Sequence, residues 1–81
     1  MELVELTEFL VKSIATDKES VSVKMFDEDE DAIMIQVLVD PSDMGNVIGR
    51  GGKIANSIRT IVQASSYLKD DKLVRISIDS F

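Results

Sequence analysis

The hydrophobic patterning of the 81 residues predicts an α+β fold with the element order α-β-β-α-α-β. Three observations lead to it. A stripe at helical period opens the chain, two stretches at period two follow, and a glycine-broken pair of helical segments runs into a last period-two stretch.

In Glu2 to Ala15, Leu3, Leu6, Leu10 and Ile14 recur at helical spacing, with Val4, Phe9 and Val11 widening the stripe and Glu5, Glu8 and Lys12 opposite. Early acidic residues and a late lysine suit the helix dipole. Thr16 to Glu19 breaks the pattern. Val21, Val23 and Met25 then alternate with Ser22, Lys24 and Phe26, and Ile33, Ile35, Val37 and Val39 alternate with Ala32, Met34, Gln36 and Leu38. The second of these strands is apolar on both faces, which predicts a central place in the sheet with more than solvent against its second side. Asp27 to Asp31 reads as the hairpin loop between them.

Pro41 ends the second strand, and Ser42 or Asp43 is placed to cap a short helical turn through Met44 to Ile48. Gly49-Arg50-Gly51-Gly52 interrupts regular structure. Beyond it Ile54, Ile58, Ile61, Val62 and Ser65 share one face of a helix running to about Leu68, with Lys53, Asn56, Arg59, Thr60 and Gln63 opposite. Lys69 to Lys72 forms a loop, and Val74, Ile76 and Ile78 alternate as the last strand.

A chain of this length is expected to form one domain, residues 1–81, near the lower size limit for folding unaided. It has no Cys for a disulfide or thiolate metal site and no His for metal binding or base catalysis near neutral pH. Zinc and hydrolytic chemistry are thereby disfavoured, and no cofactor is expected. No apolar run approaches the roughly 20 residues that span a bilayer, and the acidic N-terminus is unlike a signal peptide. The expectation is a soluble cytoplasmic protein with no membrane partner and no small-molecule substrate.

The net charge of −6 runs against nucleic-acid binding, but its distribution does not. Met44 to Lys69 carries four basic residues, Arg50, Lys53, Arg59 and Lys69, and no acidic one. All fifteen acidic residues lie elsewhere, against five basic ones, so one stretch is the electropositive part of an acidic protein.

That stretch holds the glycines. A Walker phosphate loop needs Gly-Lys-Ser/Thr with a glycine five positions earlier, but Ile54 follows Gly52-Lys53 and Val47 occupies the earlier position. A dinucleotide fingerprint needs a third glycine where Ile54 stands. What remains is Gly49-x-x-Gly52 between two helical segments, with Arg50 inside and Lys53 just after. Glycines let a phosphodiester approach the backbone, the first amides of the following helix are free for an anion, and the two cations add charge.

Val47-Ile48-Gly49-Arg50-Gly51-Gly52-Lys53 resembles the signature of the KH domain, an RNA-binding fold whose Gly-x-x-Gly loop clamps a four-nucleotide backbone. The element order resembles the bacterial type II arrangement. The size, and the run Ile54-Ala55-Asn56-Ser57-Ile58-Arg59, are similar to the small single-KH proteins of the KhpA family. Ala55 stands where many eukaryotic KH domains have Ile, a difference shared with the bacterial proteins. The resemblance implies a three-stranded mixed sheet with helices on one face, and a non-enzymatic protein that binds single-stranded RNA. It implies contacts from Ile48, Gly49, Arg50, Gly51, Gly52, Lys53, Ile54 and Arg59, and an apolar groove floor from Ile48, Ile54 and Val37 or Val39. It also implies a homodimer, or a heterodimer with a KhpB (Jag-type) KH protein, acting as an RNA chaperone or post-transcriptional regulator, a pair linked in some bacteria to cell elongation and division.

The same residues admit other readings. The glycines could form only a tight interhelical turn, a reading the flanking pattern disfavours, and Arg59 and Arg75 read as solvated or ion-paired side chains rather than base readers. Asp27, Asp29 and Asp31 have the first spacing of a calcium loop, but Ala32 and Leu38 occupy its required Gly and Glu positions. The acidic run is read as a solvated loop that repels RNA from the wrong face. The four aromatic residues, Phe9, Phe26, Tyr67 and Phe81, lack the spacing of RRM or OB-fold stacking platforms. The alternative function is a protein-interaction or dimerisation module of KH shape with weak or no nucleic-acid binding. A nucleotide-hydrolysing enzyme, the third, lacks a phosphate-loop lysine in register and a clear base.

Overall fold

The structure, a computed structural model, describes residues 2–81. Helix α1 spans Leu3–Lys12, strand β1 Ser22–Asp29 and strand β2 Ala32–Val39. Helix α2 spans Met44–Ile48, α3 spans Lys53–Lys69 and β3 spans Leu73–Ser80, with 3-10 turns at Lys18–Ser20, Pro41–Asp43 and Arg50–Gly52. The α-β-β-α-α-β order is the one the sequence predicts.

The sheet order is β1-β2-β3, with β1 antiparallel and β3 parallel to β2. The central place of β2 follows from its side chains. Ile33, Ile35, Val37 and Val39 are all buried, and only a strand flanked on both edges and covered on one face can bury so continuous a row. Parallel pairing of β3 requires a long crossover, which α2, the glycine turn and α3 supply. The core joins those four residues to Leu3 and Val11 of α1, Val47 of α2, Ile58 and Val62 of α3 and Ile76 of β3.

Four expectations need correction. Acidic residues 27–29 belong to β1, because strand pairing is a backbone matter that exposed side chains do not oppose; the register continues through Asp27↔Ile33 and, after a bulge, Asp29↔Ala32. Glu30 and Asp31 make the turn, where Asp29 Oδ1 accepts the amide of Asp31 at 2.7 Å. Second, α1 ends at Lys12 rather than Ala15, followed by a turn. Third, within this chain the second face of β2 is uncovered: Met34, Gln36 and Leu38 are half-buried by the flanking strands alone, and Phe26 beside Met34 is 49% exposed.

Fourth, the buried stripe of α3 is Ala55, Ile58, Val62 and Ser66, while Ile61 is 47% exposed. Small side chains at Ala55 and Ser66 let the helix sit close to its neighbours, whereas side-chain size alone favoured Ile61. The buried hydroxyl of Ser66 donates to the Lys72 carbonyl at 2.8 Å. Among the described residues no buried side-chain polar atom lacks a partner, as a domain this small requires.

Candidate nucleic-acid interface

Helix α2 ends at Gly49, whose amide donates to the Gly45 carbonyl at 3.0 Å. Its backbone, φ 77° and ψ 172°, is a conformation essentially confined to glycine. The chain then makes a tight 3-10 turn, closed by Gly52 N–H donating to the Gly49 carbonyl at 3.2 Å. Gly52, at φ 79° and ψ 11°, is the N-cap of α3 and offers no side chain to its first amides. The Lys53 amide donates to the Arg50 carbonyl within the turn, and the next amides of α3, with no capping side chain, face outward at the positive end of a 17-residue helix.

The side chains suit such an acceptor. Arg50 and Lys53 are exposed, and neither forms an ion pair among the described residues. A Cβ on Gly51 would meet nothing within 4 Å, so the loop presents bare backbone to solvent there. Ile48 and Ile54, half-buried on either side of the turn, provide apolar ground next to the cations. The structure therefore brings Ile48, Gly49, Arg50, Gly51, Gly52, Lys53 and Ile54 into one turn between two helices.

Arg59 lies elsewhere, and neither solvation nor an ion pair describes it. It is half-buried on α3, and its Nε and Nη2 each donate to the Ile76 carbonyl at 3.3 Å while Nη1 donates to Asn56 Oδ1 at 3.1 Å. Two of the five guanidinium N–H groups thus serve β3, the sheet's edge strand, and a third serves Asn56 of α3 itself. Gln63, expected on the solvated face, does the same: it accepts the Val74 amide at 2.8 Å and donates to the Lys72 carbonyl at 2.9 Å. A cavity of about 450 Å³ lies where α3 meets this edge, lined by Arg59, Thr60, Gln63, Ala64, Tyr67 and Val74. Arg75 forms a loose pair with Glu28, Nε to Oε2 at 3.7 Å.

Val37 and Val39 do not floor a groove. Both are 0% exposed, beneath the helices. Residues of β2 that alternate with them point to the uncovered face instead, so no residue of the central strand reaches the turn's surface by that route.

The sequence reading missed the role of Asp43. Its side chain caps no helix. The carboxylate is buried, Oδ1 accepting the Thr16 amide at 2.8 Å and Oδ2 the Asp17 amide at 2.9 Å, with Asn46 Nδ2 donating to Oδ1 at 3.1 Å. The Thr16 and Asp17 amides hold it below the ordinary carboxylate value, Asn46 adding to them and burial opposing. Helix-start signals gave the residue type, but partners more than twenty-five positions away leave no local trace. Asp40 is the residue that acts as a local cap, accepting the Ser42 amide at 3.0 Å.

Residues 4–78 match the family model described as KhpA/KhpB, KH domain. The chain is 40% identical over 74 residues to a Clostridium perfringens protein named RNA-binding protein KhpA, covering 91% of this chain and 96% of that one. A protein of the same name from Borreliella burgdorferi is 36% identical over 75 residues, covering 93% and 89%. Among solved structures, Era in complex with MgGDPNP and nucleotides 1506-1542 of 16S ribosomal RNA superposes with a TM-score of 0.71 at 16% identity, over 96% of this chain and 29% of that one. A variant of Aquifex aeolicus Era bound to GDP.AlF4- gives 0.76 at 14% identity, over 98% and 30%. The chain thus spans about a third of the Era chains, and the likeness shows the fold: type II KH, with a mixed three-stranded sheet.

Proposed function

The chain belongs to the KhpA/KhpB KH-domain family, and on that premise we propose that it grips the sugar-phosphate backbone of single-stranded RNA with the Gly49-Arg50-Gly51-Gly52 turn. The family is one of RNA-binding proteins and not of enzymes. One observation carries the loop assignment: the turn combines bare glycine backbone, the uncapped amides of α3 and two unpaired cations on one exposed spot. In this reading Arg50 and Lys53 pair with phosphates, amides of the first turn of α3 donate to a phosphate oxygen, and Ile48 and Ile54 support the sugar or base beside them. Arg59 forms part of the wall toward β3, with two N–H groups left for RNA, next to a cavity roomy enough for a base.

A single short clamp with few cations binds weakly, so the working unit in this proposal is a pair, of two copies or of one copy with a KhpB-type protein. Exposed apolar side chains on the outer face of α3, Ile61 and Leu68, at 47% and 89%, support a contact of this kind. The proposed role is that of a cytoplasmic RNA chaperone or post-transcriptional regulator, with residues 1–81 acting as one KH domain. No helix among the described residues is long and apolar enough to cross a membrane.

The test is binding of a labelled single-stranded RNA pool by the wild type and by Gly51→Asp/Gly52→Asp, with circular dichroism to establish folding. Both positions have positive φ in the left-handed region, which Asp tolerates better than most residues, and an added Cβ meets no close contact. Folding is therefore retained and binding lost. Equal binding by the two proteins would rule the loop out.

A further inference from the structure

We propose that Asp43 is the positioning residue of the RNA clamp, stapling the start of α2 to the segment that leaves α1 so that the glycine turn is held in its gripping shape. The inference rests on the assignment of that turn to RNA and adds a residue that touches no RNA itself.

The argument is one of connectivity. Helix α2 has five residues and runs directly from Asp43 into Gly49, so its orientation sets where the turn begins. A helix this short has too few internal hydrogen bonds to hold its own direction. One anchor is Val47, buried in the core near its C-terminal end. Half-buried Met44 packs against the core at its start, but apolar contacts are non-directional and let the helix pivot, and a directional fixed point stops it. Asp43 supplies that point at the other end, with both carboxylate oxygens on the consecutive amides of Thr16 and Asp17 and Asn46, one turn into α2, closing the clasp at 3.1 Å.

The bonding pattern needs a carboxylate. Two adjacent backbone N–H groups require two acceptor atoms, and an amide side chain supplies one and turns a donor toward the other. No cation pairs with Asp43 among the described residues. The charge is met by backbone donors, which makes the clasp directional. Nearby Lys18 does not compete, since its ammonium donates to the Ala15 carbonyl at 2.9 Å.

The experiment compares Asp43→Asn with a variant destabilised at the far end of β2, Ile33→Val or Ile33→Ala, chosen to match its melting temperature. Two quantities are read: RNA affinity, and hydrogen exchange at the amides of Gly49 and Gly52, which are protected by bonds to the Gly45 and Gly49 carbonyls. Asp43→Asn is expected to weaken RNA binding about tenfold, the order of loss when the support behind a binding group is removed, and to speed both amides by a similar factor. The Ile33 variant leaves affinity and exchange near wild type. Equal effects in the two variants would reduce Asp43 to a general contributor to stability and overturn the proposal. If wild type fails to bind RNA, the RNA assignment falls, and the exchange comparison still decides whether Asp43 holds the turn. Should Asp43→Asn not fold, Asn46→Ala, at an exposed position, removes the third bond alone. Faster exchange at Gly49 in that variant supports the staple, and unchanged exchange refutes it.

Discussion

A Cβ placed on Gly49 would lie 2.7 Å from Cγ1 of Ile54 and 3.0 Å from its backbone nitrogen. The first residue of the turn thus lies against the second residue of the helix that follows, and there is no room for a side chain between them. Gly49→Ala adds this overlap to a backbone conformation that only glycine adopts at ease. The expected cost is about 2–4 kcal/mol, read as a fall in urea midpoint without a change in slope. Gly51→Ala, whose Cβ would enter open space, is expected to cost at most about 1–2 kcal/mol, the penalty of a left-handed Ala alone.

Electrostatics of the clamp are accessible through salt. If two to four phosphates are neutralised, log affinity falls against log salt with a slope of about −1.4 to −2.8 for a single strand. Lys53→Ala makes that slope shallower by about 0.7 and weakens binding of all sequences alike. A slope unchanged by the substitution would place Lys53 away from the phosphates.

The division between core and surface positions can be tested by truncation. Ile35, fully buried in β2, loses about 2–5 kcal/mol on substitution by Ala, a large share of the stability of an 81-residue domain. Ile61→Ala, on the outer face of α3, changes the stability of the isolated chain by about 0.5 kcal/mol or less. A lower apparent mass of the Ile61→Ala/Leu68→Ala protein in sedimentation, relative to wild type, would locate pairing on that face.

Asp43 predicts a pH dependence with a defined sign. Its carboxyl is held below the ordinary value of about 3.8, so the folded state favours the ionised form. The stabilisation is fully present above the unfolded value and is lost as pH falls through the lower folded value. In urea titrations the gap between wild type and Asp43→Asn is therefore widest near neutral pH and narrows below about pH 4. A gap that widens in acid would contradict the bonding described.

Much of this was legible in the residues. Alternation at period two and the break at Pro41 placed β2 correctly, and its two-sided apolar character put it in the centre of the sheet, because those signals depend on local sequence. The glycine turn was also legible, since a positive φ and an uncapped helix start are recorded in residue type. Contacts made across the fold were not. Arg59 and Gln63 look like solvent-facing positions on a helical wheel, yet both turn to the carbonyls and amides of β3, which a periodicity cannot locate. The acidic stretch misled for a related reason: charge predicts exposure well and strand pairing poorly, and β1 runs through Asp29 with its acids in water.

The turn lies inside the crossover that joins the parallel strands β2 and β3, and this orders its own synthesis. A nascent chain emerging from the ribosome makes β1 and β2 first, and these close as a local hairpin. The glycine turn comes next, carried by α3, but α3 is tied down through Arg59 and Gln63 to backbone groups of β3 and of Lys72 just before it, still untranslated at that moment. Parallel pairing across such a separation is a late event in folding. The α3 side of the turn is therefore fixed only when β3 docks, so that the grip proposed for it belongs to the finished fold and not to a half-made chain.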